Sequence, residues 1–315
     1  MILVHLVGVR IPVPLLILKT KKASVERLEP FFGVLLNESP NPLKRLDMQL
    51  VQRVHFPQID STQLYAFREL EAGRLAEEPA LVSASVQSAG KGQKDHQWYS
   101  PTGCLMFSLI FSPARFQIPL AHTSMLGLTF GLAIFETLQK VLPVKKGERL
   151  FIHWPNDLYC RLEEGDFRKM AGILLEGHAS GRMIAGIGIN LLNSMHGAPP
   201  EIQSRIVSLS DFFPEWPDAP ILKNVKPLEN PGFPEPIERF LALLLTNLGE
   251  KMQNMTHLPI TETVRQIEKH CIQCGNTVTL ETPQGNITGF CSGLAEDGAI
   301  LIDGRKFYSG IVKKV

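Results

Sequence analysis

The sequence is short of charge imbalance, paired cysteines and repeats, and each shortage excludes something. Thirty-two Lys and Arg stand against 31 Asp and Glu, a formal net charge of +1. The chain therefore lacks the one-signed field of a protein that coats nucleic acid or an anionic membrane. Cysteine is sparse and odd in number, five residues at Cys104, Cys160, Cys271, Cys274 and Cys291. That is no disulfide scaffold, and it fits a reducing, cytoplasmic setting. Cys271-x-x-Cys274 has no second pair at zinc spacing, and His55, His122, His178 and His270 show no ligand pattern, so no resident metal is expected. No internal repeat or long low-complexity tract occurs. What is present is apolar material: 44% of the 315 residues are hydrophobic and 20% charged, which excludes wholesale disorder. The length suits one large domain with a small one, or two medium ones.

Met1–Leu18 is strongly apolar, but Arg10 interrupts it, Pro12 and Pro14 break it, and Lys19, Lys21 and Lys22 follow rather than precede it. A signal or anchor is therefore not expected; a strand or an extension is. A turn-rich stretch, Asn37-Glu38-Ser39-Pro40-Asn41-Pro42, marks a boundary near residue 50.

Beyond it the pattern is mixed. Val51–Ile59 reads as a strand and Asp60-Ser61-Thr62 as a helix N-cap leading into Gln63–Arg74. Ala80–Val86 and Cys104–Phe111 read as buried strands separated by a polar stretch, Gln87–Gly103. Ser124–Leu142 reads as an apolar helix and Leu150–Trp154 as a short strand. Met170–Leu175 and Met183–Leu192 form a hairpin around Gly177–Gly181. Seven prolines between 214 and 236 predict a long surface loop before a helix at about 237–252. From Gly275 the chain breaks into short strands, Thr277–Glu281, Ile287–Cys291, Ala299–Ile302 and Arg305–Tyr308, the pattern of a small β-barrel-like module.

Four stretches carry chemistry. In Gln87…Trp98, Gly90 and Gly92 let backbone approach an anion while Lys91 and Lys94 supply charge. The same stretch also has the make-up of an ordinary hairpin loop, and it is not a Walker loop, because no Gly-Lys-Ser/Thr opens a helix. In His153-Trp-Pro-Asn-Asp157, Asn156 and Asp157 set an amide beside a carboxylate, a pair able to hold a hydroxyl, an amide or hydrated Mg²⁺, or simply to make a turn. Lys169 stands before a buried strand and is aimed toward the sheet mouth. Gly186-Ile-Gly-Ile-Asn190 ends a strand of small residues on an amide.

Taken in order, Asp60-Ser61-Thr62, Gln87…Gly90-Lys91-Gly92…Trp98-Tyr99-Ser100-Pro101, Trp154-Pro155-Asn156-Asp157, Lys169-Met-Ala-Gly172 and Gly186-Ile-Gly188-Ile-Asn190 resemble the biotin protein ligase family. The resemblance covers about residues 51–315. It implies an α+β fold: a mixed-sheet biotin/lipoate ligase-like catalytic domain over 51–270, with an SH3-like β-barrel module over 271–315 and residues 1–50 as an extension. It implies a ligase that forms biotinyl-5′-AMP from biotin and ATP and passes biotin to a lysine of a biotin carboxyl carrier protein, that of acetyl-CoA carboxylase, with Mg²⁺ arriving with ATP.

By that resemblance Lys169, Asp157 and Asn156 are catalytic. Ser61, Thr62, Gln63, Gln87, Lys91, Gly92, Gln93, Lys169 and Gly172 bind biotin. Gly90, Lys91, Gly92, Gln93, Lys94, Trp98, Asn156, Lys169 and Asn190 bind ATP or the adenylate. The family loop usually reads Gly-Arg-Gly-Arg, whereas this one reads Gly90-Lys91-Gly92-Gln93. Gln63 replaces the usual Asn, and His153 the usual Lys. Some members carry an N-terminal winged-helix domain; residues 1–50 show no helix–turn–helix pattern, so neither nucleic acid nor membrane is an expected partner. A lipoate or octanoate ligase or transferase, or a non-catalytic biotin-binding protein of the same fold, is the alternative.

Overall fold

The computed structural model describes residues 5–6, 9–10, 50, 52–75, 78–93 and 96–314. Most of the extension before residue 50 lies outside the described residues. What is described there is a pair of two-residue strands, β1 (His5–Leu6) and β2 (Val9–Arg10), antiparallel to each other.

The main body is a seven-stranded sheet. In chain order its strands are β3 (Gln52–Phe56), β4 (Ala80–Ala84), β5 (Cys104–Phe111), β6 (Leu150–His153), β7 (Asp157–Arg161), β8 (Phe167–Gly177) and β9 (Met183–Asn190). Their order across the sheet is β3-β4-β5-β9-β8-β7-β6. The β3–β4 pair is parallel and the other pairings are antiparallel, so the sheet is mixed, as expected. The β3–β4 crossover is α1 (Thr62–Glu71). Its N-cap is Ser61, whose hydroxyl accepts from Leu64 N–H, so the helix starts where capping chemistry directs.

Both faces of the sheet are covered, and the alternation of β5 shows how. Leu105, Phe107, Leu109 and Phe111 join the large core beneath α2 (Leu126–Val141) and α3 (Glu235–His257). Ile110, one step out of phase, joins a smaller cluster with Ala66 and Leu70 of α1. A strand buried on both sides reads as a continuous apolar run, which is why its period was not visible in the sequence. Ser108 is the polar exception in that run, and it is fully buried.

One expectation needs correction. Residues 214–236 are not a surface loop: Trp216, Leu222 and Phe233 are buried in the main core. Short helical turns at Trp216–Asp218 and Pro220–Lys223 place prolines in their first turn, where the missing N–H costs nothing. Two further elements lack a period strong enough to read, β7 and a second helix, α4 (Ile260–Glu268).

The C-terminal module is a five-stranded antiparallel sheet, consistent with an SH3-like unit. Its strands are β10 (Thr277–Thr282), β11 (Gly285–Leu294), β12 (Ile300–Ile302), β13 (Arg305–Phe307) and β14 (Ile311–Lys314), in the order β13-β12-β11-β10-β14. The fifth strand was not expected. The segment entering the module covers the outer edge of β6: Ile152 N–H donates to His270 O at 2.8 Å, and Ile272 N–H donates to Ile152 O at 3.0 Å. An otherwise open sheet edge is thereby paired. Trp154 is buried at the same junction, and its indole N–H donates to Gly298 O at 3.0 Å.

Candidate active site

A cavity of about 260 Å³ opens between the β5–β9–β8–β7 surface, the 87–98 loop and strand β14. Its wall contains Ser61, Thr62, Gln63, Gln87, Lys91, Gly92, Gln93, Trp98, Asn156, Asp157, Lys169 and Gly172, so most of the residues singled out from sequence converge here. Two described ones do not line it. Gly90 is buried behind the loop, where a Cβ would lie 2.4 Å from Ser100 Oγ. Asn190 is buried, and its Oδ1 accepts from Asn193 Nδ2 at 3.1 Å. Lys94 lies outside the described residues.

One end of the cavity is charged. Lys169 Nζ sits 2.7 Å from Asp157 Oδ2, both side chains largely shielded from solvent. The ladder explains how Lys169 comes to point inward. Leu158 pairs with Ala171 and Tyr159 with Lys169, so Met170 is an extra residue on β8. Such a bulge re-aims the side chains beside it. It brings Lys169 onto the face of Gly172, whose hypothetical Cβ would be 3.1 Å from Nζ. The turn before Asp157 is pinned in turn: Asn156 Nδ2 donates to Ile173 O, and Ile173 N–H donates to Asn156 O at 3.0 Å. Asn156 therefore positions Asp157. His153, the β6 partner of Asp157, stacks on Tyr159 with centroids 4.6 Å apart. Burial is the main influence on that imidazole and holds its pKa below the ordinary histidine value, with Lys169 adding to the effect and Asp157 opposing it.

The other end is neutral and polar. Thr62 N–H donates to Gln87 Oε1 at 2.7 Å, and Gln87 Nε2 donates to Ser100 Oγ at 3.3 Å. Gln63 lines this end, but its amide is spent within the protein: Nε2 donates to Glu176 Oε2 at 3.0 Å and Oε1 accepts from Ser108. Lys91 Nζ pairs with the same Glu176 carboxylate at 2.9 Å. Sequence reasoning missed Glu176 and Ser108. The available signal was Ser108 as the lone hydroxyl of apolar β5 and Glu176 as the carboxylate that ends the apolar run Met170–Leu175.

Between the two ends lies the indole of Trp98. Gly172 and Gly188 face each other across β8 and β9. A Cβ would come within 3.0 Å of the indole at Gly172 and within 2.5 Å at Gly188. The paired glycines are the slot that admits the ring. Lys169 Nζ stands 5.4 Å from the ring centroid, within cation–π range. Strand β14 closes the rim with Gly310, Ile311 and Val312. Among the described residues no group of three or more His, Cys, Asp or Glu could hold a metal ion.

The mixed sheet with its C-terminal β module has counterparts among solved structures of biotin protein ligases. A biotin protein ligase from Aquifex aeolicus, solved with biotin and ATP, superposes with a TM-score of 0.63 at 25% identity, covering 84% of this chain and 100% of that one. The family model for the biotin/lipoate A/B protein ligases matches residues 55–192. The bifunctional ligase/repressor BirA of Salmonella typhimurium is 32% identical over 167 residues, 48% of this chain and 47% of that protein. BirA of Bacillus subtilis is 27% identical over 265 residues, 81% of this chain and 71% of that protein. The chain thus spans less than half the length of the first of these relatives.

Proposed function

We propose that the protein is an ATP-dependent biotin ligase that forms biotinyl-5′-AMP and transfers biotin to a lysine of a biotin carboxyl carrier protein, that of acetyl-CoA carboxylase. The observation that carries this reading is a single cavity with a cation at one end and a neutral hydrogen-bonding cluster at the other. A cyclic urea with an apolar tail ending in a carboxylate matches that polarity: head at Ser61, Thr62 and Gln87, carboxylate at Lys169.

Attack of the carboxylate on the α-phosphorus of ATP brings negative groups together, and a fixed cation offsets that repulsion where the charge develops. Asp157 holds Lys169 in place before the substrates arrive. Mg²⁺ accompanies ATP as its counter-ion and needs no resident protein site. The mixed anhydride hydrolyses readily, and the 87–98 loop, with Trp98 laid across the glycine slot, keeps water away until the acceptor lysine attacks. The site of action is the cytoplasm; no helix among the described residues is long and apolar enough to cross a membrane.

The test is biotin-dependent exchange of pyrophosphate into ATP, followed by transfer of radiolabelled biotin to a purified carrier domain. Exchange with lipoate or octanoate in place of biotin would overturn the substrate assignment. Binding of biotin without exchange would make the protein a non-catalytic binder.

A further inference from the structure

Glu176 lies behind the cavity wall rather than in it, yet it decides what the wall presents. Its carboxylate is nearly buried and takes two donors, Gln63 Nε2 at 3.0 Å and Lys91 Nζ at 2.9 Å. Gln63 Nε2 also donates to Ile184 O at 3.2 Å. Both of those partners can only accept. The Gln63 amide, which alone would be free to flip, therefore has one permitted orientation, with Oε1 facing Ser108. That oxygen has no proton, so the 3.0 Å contact from Ser108 Oγ must be a donation by the serine. A hydroxyl has one proton. Ser108 Oγ, also 3.0 Å from Thr62 Oγ1, is then left as an acceptor toward Thr62. The remaining neighbour of Thr62 Oγ1 is Gln87 Oε1 at 3.2 Å, again an acceptor. Gln87 is fixed the same way round, because Thr62 N–H donates to its Oε1 at 2.7 Å. The Thr62 proton is thus drawn into the protein, and its lone pairs face the cavity.

We infer that Glu176 is a positioning residue that sets the hydrogen-bond polarity of the neutral end of the cavity, making Thr62 an obligatory acceptor and so selecting a ligand with an N–H at that point. The same carboxylate fastens the loop: Lys91, whose ammonium also lies 5.8 Å from the Phe67 ring centroid, carries residues 90–93 against the wall. Gly186 makes room for the relay, because a Cβ there would sit 2.6 Å from Gln63 Oε1. The inference rests on the ligase reading above and names the residue behind its specificity.

The experiment is biotin-dependent ATP–pyrophosphate exchange on the full chain, with biotin and ATP varied separately. Glu176→Gln removes the fixed acceptor and lets the Gln63 amide take either orientation. The KM for biotin rises roughly tenfold, the size expected for one mis-set buried hydrogen bond, and the KM for ATP rises less, through the loosened Lys91 loop alone. Gln63→Leu, which deletes the amide that Glu176 orients, raises the biotin KM about as much, and the double variant is no worse than either single one. A third arm needs no variant. The wild type is compared on biotin and on the two cyclic carbamates in which one ureido N–H is replaced by oxygen, and it rejects one of them by about tenfold or more. Equal use of biotin and both carbamates overturns the inference. So does a Glu176→Gln protein with unchanged biotin KM, or a double variant in which the two losses add. A wild type with no biotin-dependent exchange overturns the ligase reading, and the inference falls with it.

Discussion

The floor and the roof of the cavity are built on different principles. The floor is sheet: Asp157, Gly172 and Gly188 on β7, β8 and β9 each pair with a strand on either side, and Lys169 pairs with Tyr159 on one side and with residues 205–207 on the other. The roof is the 87–98 stretch, irregular among its described residues. Its start is tied to the body by Ser88 N–H donating to Ile59 O at 3.0 Å and Ala89 N–H donating to Asp60 O at 2.9 Å, and its tip by the Lys91–Glu176 ion pair. Gly92 N–H donating to His96 O at 2.8 Å and Trp98 N–H donating to Gly90 O at 2.9 Å only close the stretch on itself. A charge that must compensate a developing charge belongs on the rigid part, and a cover that must admit and release substrates belongs on the weakly fastened part. Substitutions in the floor should therefore stop the chemistry, and substitutions in the roof should change retention.

The largest effect falls on the floor. Lys169→Ala removes the cation and should abolish formation of biotinyl-AMP, a loss of at least about a hundredfold, while circular dichroism and the unfolding midpoint stay close to wild type. An unchanged adenylation rate would remove Lys169 from the mechanism.

Truncation after His270 comes next. It deletes Gly310, Ile311 and Val312 from the rim and leaves the buried Trp154 indole N–H without its Gly298 acceptor. An unsatisfied buried donor alone costs about 1–3 kcal/mol. A lower melting temperature and a large loss of activity are expected; a fully active fragment of residues 45–270 would show the module to be dispensable.

Gly188→Val joins floor to roof. The new side chain takes the space of the Trp98 ring, so the indole is expelled and the loop loses its seat. The expected signature is accelerated proteolysis within residues 87–98 and faster escape of the adenylate, with the fold retained.

Gln93→Arg is the mildest change and acts on the roof alone. A charged donor in place of an amide strengthens the hold on an anion by about 1–2 kcal/mol, so biotinyl-AMP should dissociate roughly 5- to 30-fold more slowly. Labelling of bystander lysines should fall in parallel. No change in either would mean that position 93 does not face the intermediate.

The same contrast governs how much was legible in the sequence. The floor motifs could be read because a lysine before an apolar strand and a Pro-Asn-Asp turn are local patterns. The bulge at Met170 that aims Lys169, by contrast, is a property of strand pairing and leaves no local trace. The double role of the Trp-Pro-Asn-Asp turn was also invisible. Asn156 and Asp157 serve the cavity while Trp154 fastens the module, a contact 144 residues apart in the chain. Apolar β5 hid Ser108, and the prolines of 214–236 hid a packed segment, because proline density reports the absence of long helices and not the depth of burial.

Three tryptophans are distributed unevenly between these regions. Trp154 and Trp216 are fully buried, whereas Trp98 is half-exposed on the wall of the cavity. Two indoles thus emit from sealed, invariant surroundings, and the third lies across the slot that a substrate's tail must cross. The protein carries its own optical gauge, in which the blue-shifted share of the emission reports the integrity of the fold and the remainder reports occupancy of the site.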